Sequence, residues 1–132
     1  MRVRDFDHIT ITVKDLDRTM RFYHEVLDLP VVSFTKDLLT VQLGHQKLVF
    51  RQLGKDYDPN IPVPTPGASA LCITDKDSLT YTKEHLANYG VPVVKGPVEV
   101  KGSNGPMRAI WILDPDKNLI EIKESKQTKS FN

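Results

Sequence analysis

The sequence contains two related segments, and this internal repeat limits the folds that the chain can adopt. Residues 11–32 and 73–94 align without gaps at an offset of 62 positions. Seven of the 22 aligned positions are identical, namely Ile11/Ile73, Thr12/Thr74, Lys14/Lys76, Asp15/Asp77, Pro30/Pro92, Val31/Val93 and Val32/Val94. Chance similarity is the alternative, but both segments also run from a strand pattern through a helix pattern to Pro-Val-Val. This shared order predicts two copies of one supersecondary unit.

The first copy predicts a βαβββ unit, which we place at residues 4–52. Phe6 to Val13 alternates as a strand does, with Ile9, Ile11 and Val13 on one face and His8, Thr10 and Thr12 on the other. Asp15 can cap the helix that follows. Its residues Leu16, Met20, Tyr23 and Leu27 have helical spacing and are expected to pack on the apolar face of the strand. The three remaining strands are predicted near Val31–Thr35, Leu38–Leu43 and Lys47–Gln52, with a turn at Gly44–His45.

The second copy predicts the same unit at residues 67–124. It follows a linker at residues 53–66, which holds Pro59, Pro62, Pro64 and Pro66. In its first strand, Leu71 and Ile73 face the helix, and Ala70, Cys72 and Thr74 share the other face. Its helix is capped by Asp77 or Ser78 and ends at Gly90. Strands are expected near Val98–Val100, Met107–Leu113 and Asn118–Lys123, the last two joined by a turn at residues 114–117.

Composition favours a single small domain. The chain has 132 residues and a mass of 15.0 kDa, with a formal net charge of +1, so no basic excess points to nucleic acid. It has no apolar run of membrane-spanning length and no signal-like N-terminus, so we expect a cytoplasmic protein without a membrane partner. Its one cysteine excludes an internal disulfide and a cysteine-based metal cluster. Residues 125–132 are expected to form a polar tail.

Two stretches of the sequence resemble a known family. The opening DHITITVKDLDRTMRFYHEVLDLPVV and the closing AIWILDPDKNLIEI are similar to the two ends of vicinal oxygen chelate proteins. This superfamily contains glyoxalases, bleomycin-resistance proteins and extradiol dioxygenases, and the resemblance covers residues 4–124. It implies an α+β fold in which two βαβββ modules in tandem form a curved mixed sheet around a cavity. It also implies a homodimer whose cavities draw residues from both modules.

The resemblance further implies one divalent metal, Zn, Ni, Mn or Fe, held by a His on the first strand, a His on the strand that opens the second module and a Glu on the last strand. His8 and Glu121 stand at the first and last of these positions. Ala70 stands at the second, and Val49 stands at a fourth position that some members use, so the metal is expected to be bound incompletely or to be absent. A surface role is the alternative for both His8 and Glu121.

Three explanations for the missing ligands follow. Water, substrate or another side chain completes a two-residue site, or the cavity binds an organic molecule without metal, or a different catalytic set operates. His24 and His85 on helices and His45 at a turn are poorly placed to complete the site. Cys72 shares the face of Ala70 and could offer a thiolate, although a lone buried cysteine usually acts as a small hydrophobe.

The expected cavity also contains Thr10, Arg51, Cys72 and Trp111. Arg51 follows Val49 on the same face, where it could pair with Glu121, grip a carboxylate or phosphate, or point into solvent. Trp111 is either a flat wall for ligand stacking or a core residue.

The sequence therefore favours a protein that binds a small organic molecule. If it is an enzyme, the resemblance implies metal-dependent lyase, isomerase or transferase chemistry on a substrate with adjacent oxygens. Glu121 or a bound water would then handle the proton. The alternatives are a metal-free binding or sequestering protein of the bleomycin-resistance type and a plain dimeric scaffold. Substrate identity is beyond what the residues indicate.

Overall fold

The chain divides into two compact units, residues 1–69 and residues 70–132. A computed structural model describes residues 1–102 and 105–125, so nearly all of the predicted polar tail lies outside the described residues. Within those residues, no helix is long and apolar enough to cross a membrane.

Each unit contains one four-stranded mixed sheet with its helix. The N-terminal unit consists of β1 (His8–Val13), α1 (Leu16–Arg21) with a π-helical extension at Phe22–Val26, β2 (Val31–Phe34), β3 (Leu38–Leu43) and β4 (Gln46–Gln52). The C-terminal unit consists of β5 (Ala70–Asp75), α2 (Leu79–Asn88), β6 (Lys95–Gly102), β7 (Gly105–Leu113) and β8 (Leu119–Glu124). The strand orders are β1-β4-β3-β2 and β5-β8-β7-β6, so the two units have the same topology. The predicted α+β fold with tandem βαβββ modules is confirmed.

The strand registers agree with the offset of 62 on the first strands and identify the equivalent residues on the last strand of each unit. The first strand runs parallel to the last one in both sheets, and the other pairs are antiparallel. Thr10 pairs with Val49 in one unit, and Cys72 pairs with Glu121 in the other. Since Thr10 and Cys72 are 62 positions apart, Val49 and Glu121 occupy equivalent places.

The core of the N-terminal unit lies between its helix and one face of the sheet. Ile11, Val13, Leu39, Val41 and Phe50 are all buried on that face. Tyr23 of the π-helical extension is fully buried, and its ring lies 4.6 Å from that of Phe50. The other face of the sheet, which carries Thr10 and Val49, does not contact this helix-side core because side chains alternate along a strand.

The predicted helix face was partly wrong. Leu16 and Tyr23 are buried as expected, but Met20 and Leu27 are only half-buried. Thr19, Phe22 and Val26 are buried instead. The N–H of Leu27 donates to the carbonyl of Phe22 at 3.2 Å, five residues earlier. This wider turn rotates the positions after Phe22, so that Val26 takes the inward place that regular helical spacing assigns to Leu27.

In the C-terminal unit the predicted helix and turn signals are confirmed. Ser78 caps α2, since its Oγ accepts a hydrogen bond from the N–H of Tyr81 at 3.2 Å. Gly90 follows the helix with a φ of 69°. Between β7 and β8, the buried Asp114 accepts hydrogen bonds from the N–H groups of Asp116 and Asn118 and from the amide of Asn118. This carboxylate fixes the turn that positions β8.

Two features that matter for the site differ from the prediction: the first residue of β1 and the contacts of the proline-rich segment. β1 begins at His8 instead of Phe6, because the ladder with β4 starts at the His8–Lys47 pair and Phe6 is exposed. The proline-rich segment contains no helix or strand, as expected, but it is not a free connection. The N–H of Leu53 donates to the carbonyl of Val13 at 2.7 Å, and residues 53–64 cover the end of β4.

Candidate functional site

On the face of the N-terminal sheet that lies away from the helix, two neighbouring rows combine hydroxyls, the cation of Arg51 and apolar side chains. Register places Thr10, Val49 and Thr40 in one row across β1, β4 and β3. The next row contains Thr12, Arg51 and Leu38. Thr12 is buried, and the other five residues are half-buried. We call these six residues the polar face; it combines partial desolvation with a few directional polar groups, as ligand-binding surfaces do.

Arg51 is held in one orientation at the end of this face. Its guanidinium carbon lies 4.8 Å from the centre of the Tyr57 ring, a cation–π contact. Its Nη1 donates a hydrogen bond to the carbonyl of Pro59 at 3.1 Å, whereas its Nε is buried and has no acceptor. The solvent-facing alternative for Arg51 is therefore wrong. Two contacts hold the cation, and its Nε donor is buried without an acceptor.

A pocket of about 320 Å³ opens beside Arg51, within the N-terminal unit. Its wall is formed by the ends of β1 and β4 and by the following segment: Thr12, Arg51, Gln52, Leu53, Gly54, Lys55, Asp56, Tyr57, Asn60, Ile61 and Pro64. The volume lies at the lower end of the range for small-molecule sites, roughly 300–1,000 Å³. The sequence predicted Arg51 for the cavity but treated residues 53–66 as a linker, and so it missed this wall.

Tyr57 ties the wall of the pocket to the sheet. Its hydroxyl accepts a hydrogen bond from the N–H of Gln52 at 3.0 Å and donates one to the carbonyl of Asp37 at 2.6 Å. Lys55 is also occupied, because its Nζ donates to the carbonyl of Lys36 and lies 3.5 Å from Asp37 Oδ1. Apolar residues among the prolines of this segment, Tyr57 and Ile61, were the available signal that it packs against the sheet.

His8 lies at the exposed start of β1. Its side chain is 44% exposed, and its Nδ1 lies 2.7 Å from Asp7 Oδ2. The hydrogen bond and the charge of His8 hold the pKa of the Asp7 carboxyl below its usual value. A carboxylate at Nδ1 fixes the ring so that Nε2 is the nitrogen available to a ligand.

In the C-terminal sheet, Cys72, Glu121 and Trp111 form one row across β5, β8 and β7. Glu121 Oε2 lies 3.8 Å from Lys123 Nζ, and the Glu121 side chain is only 22% exposed. Lys95 Nζ lies 4.9 Å from the centre of the half-buried Trp111 ring. Trp111 is therefore not a core residue of this unit, and one of its faces is occupied by a cation.

The sequence predicted Cys72 for the cavity face, with a buried, hydrophobe-like cysteine as the alternative; the residue is exposed, so that alternative does not hold. Alternation along β5 turns Cys72 away from the helix-side core, and its small side chain does not reach far across the sheet. Burial, and then the negative charge of Glu121, raise the pKa of the Cys72 thiol, while Lys123 acts in the opposite direction. A raised pKa keeps the thiol protonated at neutral pH, which disfavours metal ligation by a thiolate.

The residues present do not make up the metal site that the family resemblance implies. Within residues 1–102 and 105–125, no group of three His, Cys, Asp or Glu side chains is placed to hold a metal ion. In the N-terminal sheet the side chain of His8 could bind a metal but that of Val49 could not. In the C-terminal sheet the side chain of Glu121 could bind a metal but that of Ala70 could not. His24 and His85 lie on the helical segments and His45 at the turn, as predicted. His24 is also occupied, since its Nδ1 lies 2.9 Å from the carbonyl of Leu29.

Comparison with known proteins identifies relatives over nearly the whole chain. A model of the Glyoxalase/Bleomycin resistance protein/Dioxygenase superfamily matches residues 5–122. The glyoxalase domain-containing protein RDO1 of Mycosarcoma maydis is 39% identical over 129 residues, which are 98% of this chain and 73% of the relative. Virulence protein STM3117 of Salmonella typhimurium is 36% identical over 124 residues, which are 94% of this chain and 86% of the relative.

Solved structures agree with these matches. The crystal structure of STM3117 matches with a TM-score of 0.84 at 35% identity, covering 94% of this chain and 98% of that one. An integron cassette protein from the mobile metagenome of V. cholerae matches with a TM-score of 0.86 at 32% identity, covering 96% and 98%. Sequence and fold therefore point to the same family.

Proposed function

Because this chain belongs to the Glyoxalase/Bleomycin resistance protein/Dioxygenase superfamily, we propose that it binds a small organic molecule on the polar face of its N-terminal sheet. The observation that supports this proposal is the composition of that face. The half-buried residues Thr10 and Thr40 flank the apolar Val49, and the Arg51 pocket lies at the next row of the same face. Such a surface can desolvate a ligand and also orient it.

A plain scaffold explains this face less well. A solvated sheet face usually carries exposed polar or charged side chains, and a face covered by protein is usually apolar. The row of Thr10, Val49 and Thr40 fits neither description fully, because its residues are half-buried, uncharged and partly polar. The ligand class that we propose is a small molecule with adjacent oxygens, which hydroxyl donors and a guanidinium can hold together.

A ligand screen by saturation-transfer NMR tests the proposal. The probes are 2-hydroxy acids, 2-oxo acids, catechols and 1,2-diols, and we expect at least one class to bind. Thr40→Phe fills the centre of the polar face and should weaken that binding at least about tenfold. Gln46→Phe places the same ring at the exposed start of β4 and should leave binding unchanged. No binding by any class, or equal binding by both variants, would contradict the proposal.

A divalent-metal-dependent lyase or isomerase, with His8 and Glu121 as ligands and Glu121 as the catalytic carboxylate, is the second candidate. The specific observation in its favour is the Asp7 carboxylate at Nδ1 of His8. Histidines that bind metal usually have such a partner on their other ring nitrogen. The absence of donors at Val49 and Ala70 is why we rank this candidate second.

Metal analysis separates the two candidates. The protein is purified without chelator, its metal content is measured, and its melting temperature is followed with added Zn²⁺, Ni²⁺ and Mn²⁺. The favoured proposal predicts less than one metal per chain and no rise in melting temperature. One metal per chain that disappears in His8→Ala, but stays in the control His45→Ala at the exposed turn, would establish the second candidate instead.

We also propose that the protein works as a cytoplasmic homodimer, as the family resemblance implies. Light scattering on the purified protein tests the oligomeric state. A monomer at all concentrations would contradict this part of the proposal.

A further inference from the structure

We propose that the Arg51 pocket is a carboxylate-binding subsite, so that the molecule bound by this protein carries a carboxylate group. This proposal deepens the proposed function and rests on it only for the premise that the protein binds a small organic molecule. The residues that carry it are Arg51, Tyr57 and Thr12, together with the carbonyl of Pro59.

The first argument is the unused donor of Arg51. A charged N–H that is buried without an acceptor destabilises the protein, because it has lost its hydrogen bonds to water. Nε of Arg51 is in this situation. A ligand that supplies the acceptor removes this cost, and its binding is favoured for that reason.

The second argument is the direction in which Arg51 is held. Nη1 donates to the carbonyl of Pro59, and the guanidinium carbon lies over the Tyr57 ring. The remaining edge of a guanidinium fork carries Nε and Nη2, two parallel donors in one plane. Two oxygens of one carboxylate match that edge, and the bidentate pair is charge-assisted.

The third argument is the charge along the pocket wall. Three charged side chains line it: Arg51, Lys55 and Asp56. Lys55 is occupied by the carbonyl of Lys36 and by the Asp37 carboxylate, so Arg51 is the cation available to a ligand. The carboxylate of Asp56, which also lines the pocket, repels negatively charged ligands, and more strongly the more charge they carry. This balance favours a singly charged carboxylate over a phosphate, which carries more charge.

Access to Nε requires a small adjustment. Its atom is shielded from water, although the Arg51 side chain as a whole is half-buried and lines the pocket. We expect the carboxylate to enter from the pocket and to displace the atoms that cover Nε. Thr12 lies opposite Arg51 in the β1–β4 register and lines the same pocket, so its hydroxyl is placed to assist.

The experiment follows the Arg51 side chain directly. In ¹⁵N-labelled protein, the Hε resonance of Arg51, assigned by its loss in Arg51→Lys, is monitored during titration with acetate, phenylacetate and succinate up to about 10 mM. We expect a downfield shift with at least one carboxylate and none with phenylacetamide, which has the shape of phenylacetate but no charge. Inorganic phosphate is a separate arm and should bind more weakly.

Variants of Arg51 measure how much its guanidinium group contributes to carboxylate affinity. Arg51→Met should weaken carboxylate binding about tenfold or more, and Arg51→Lys, which keeps the charge but loses the fork, should weaken it to an intermediate degree. Lys47→Met removes one positive charge from the exposed start of the same strand and should change affinity less than about twofold. Circular dichroism checks that each variant is folded, and the Hε titration of the unmodified protein does not depend on any variant.

Three results would overturn the inference: no Hε shift with any carboxylate, equal shifts with phenylacetamide, or a shift with phosphate alone. These results leave the proposed function standing if the ligand screen still finds a molecule whose binding is lost in Thr40→Phe. Conversely, a carboxylate could bind at Arg51 with the same affinity in Thr40→Phe as in the unmodified protein. That result would support the subsite and contradict the proposal that the polar face is the main binding surface.

Discussion

Cys72 and Glu121 face each other across β5 and β8, and this pair shows how single residues set the chemistry of the C-terminal sheet. The carboxylate of Glu121 raises the pKa of the thiol, and the ammonium of Lys123, 3.8 Å from the same carboxylate, lowers it. Burial of the thiol is the largest cause of the raised pKa. Cys72 is therefore an exposed residue whose thiol is subject to two opposing charges, and it is not a core residue.

Reaction of Cys72 with a disulfide reagent at constant pH, near neutrality, measures these opposing effects. Because the thiolate is the reacting form, removing the negative charge in Glu121→Gln should lower the pKa of the thiol and increase the rate. Removing the positive charge in Lys123→Met should do the reverse. Rates that move in the same direction in both variants would show that access, and not charge, controls Cys72.

At the scale of elements, backbone detail decides what the two modules can do. The N-terminal helix turns into a π-helical extension at Phe22–Val26, which changes the residues that it buries. In the C-terminal sheet, β6 contains an irregularity between Lys95 and Val98, and Gly96 lies within it at a φ of 95°. A Cβ at Gly96 would lie 2.5 Å from the backbone carbonyl oxygen of Ala109. Glycine is therefore required for β6 to approach β7.

Substitution of this glycine should destabilise the protein. Gly96→Ala combines a left-handed φ with a clash against backbone, and we expect a loss of at least about 1–3 kcal/mol in the free energy of unfolding. Gly44→Ala is the matched control, since Gly44 has a φ of 60° but no atom within 4 Å of its Cβ position. It should cost about 1 kcal/mol from backbone strain alone. Urea denaturation of the two variants measures the difference; equal losses would mean that the clash contributes nothing.

Much of the fold could be predicted from the sequence, but the contacts that form the pocket wall could not. The offset that aligns Ile11 with Ile73 correctly predicted the equivalent first strands and their inward faces, because strand parity and hydrophobic alternation are local properties. The pocket wall depends on Tyr57 reaching back to Gln52 and Asp37. No local pattern predicts that contact, and prolines in a segment indicate only that it is not a helix or strand.

For the molecule as a whole, the repeat has produced two units with one topology and different surface chemistry. Equivalent positions carry His8 and Ala70 on the first strands, and Val49 and Glu121 on the last strands. In each sheet, therefore, only one of the two positions carries a side chain that can bind a metal: His8 in the N-terminal sheet and Glu121 in the C-terminal sheet. The N-terminal sheet combines its donor with threonines and Arg51, and the C-terminal sheet combines its donor with Cys72 and Trp111.

The most direct measurement is amide-shift mapping by two-dimensional NMR with the strongest ligand from the screen. If the protein binds its ligand on the polar face, the largest shifts will fall on β1, β3 and β4, at Thr10, Thr40 and Val49, and will extend to Arg51. The exposed Gln46 and the helix-side core around Tyr23 will change little. Shifts confined to other elements, or no saturable shifts with any ligand class, would contradict binding on the polar face.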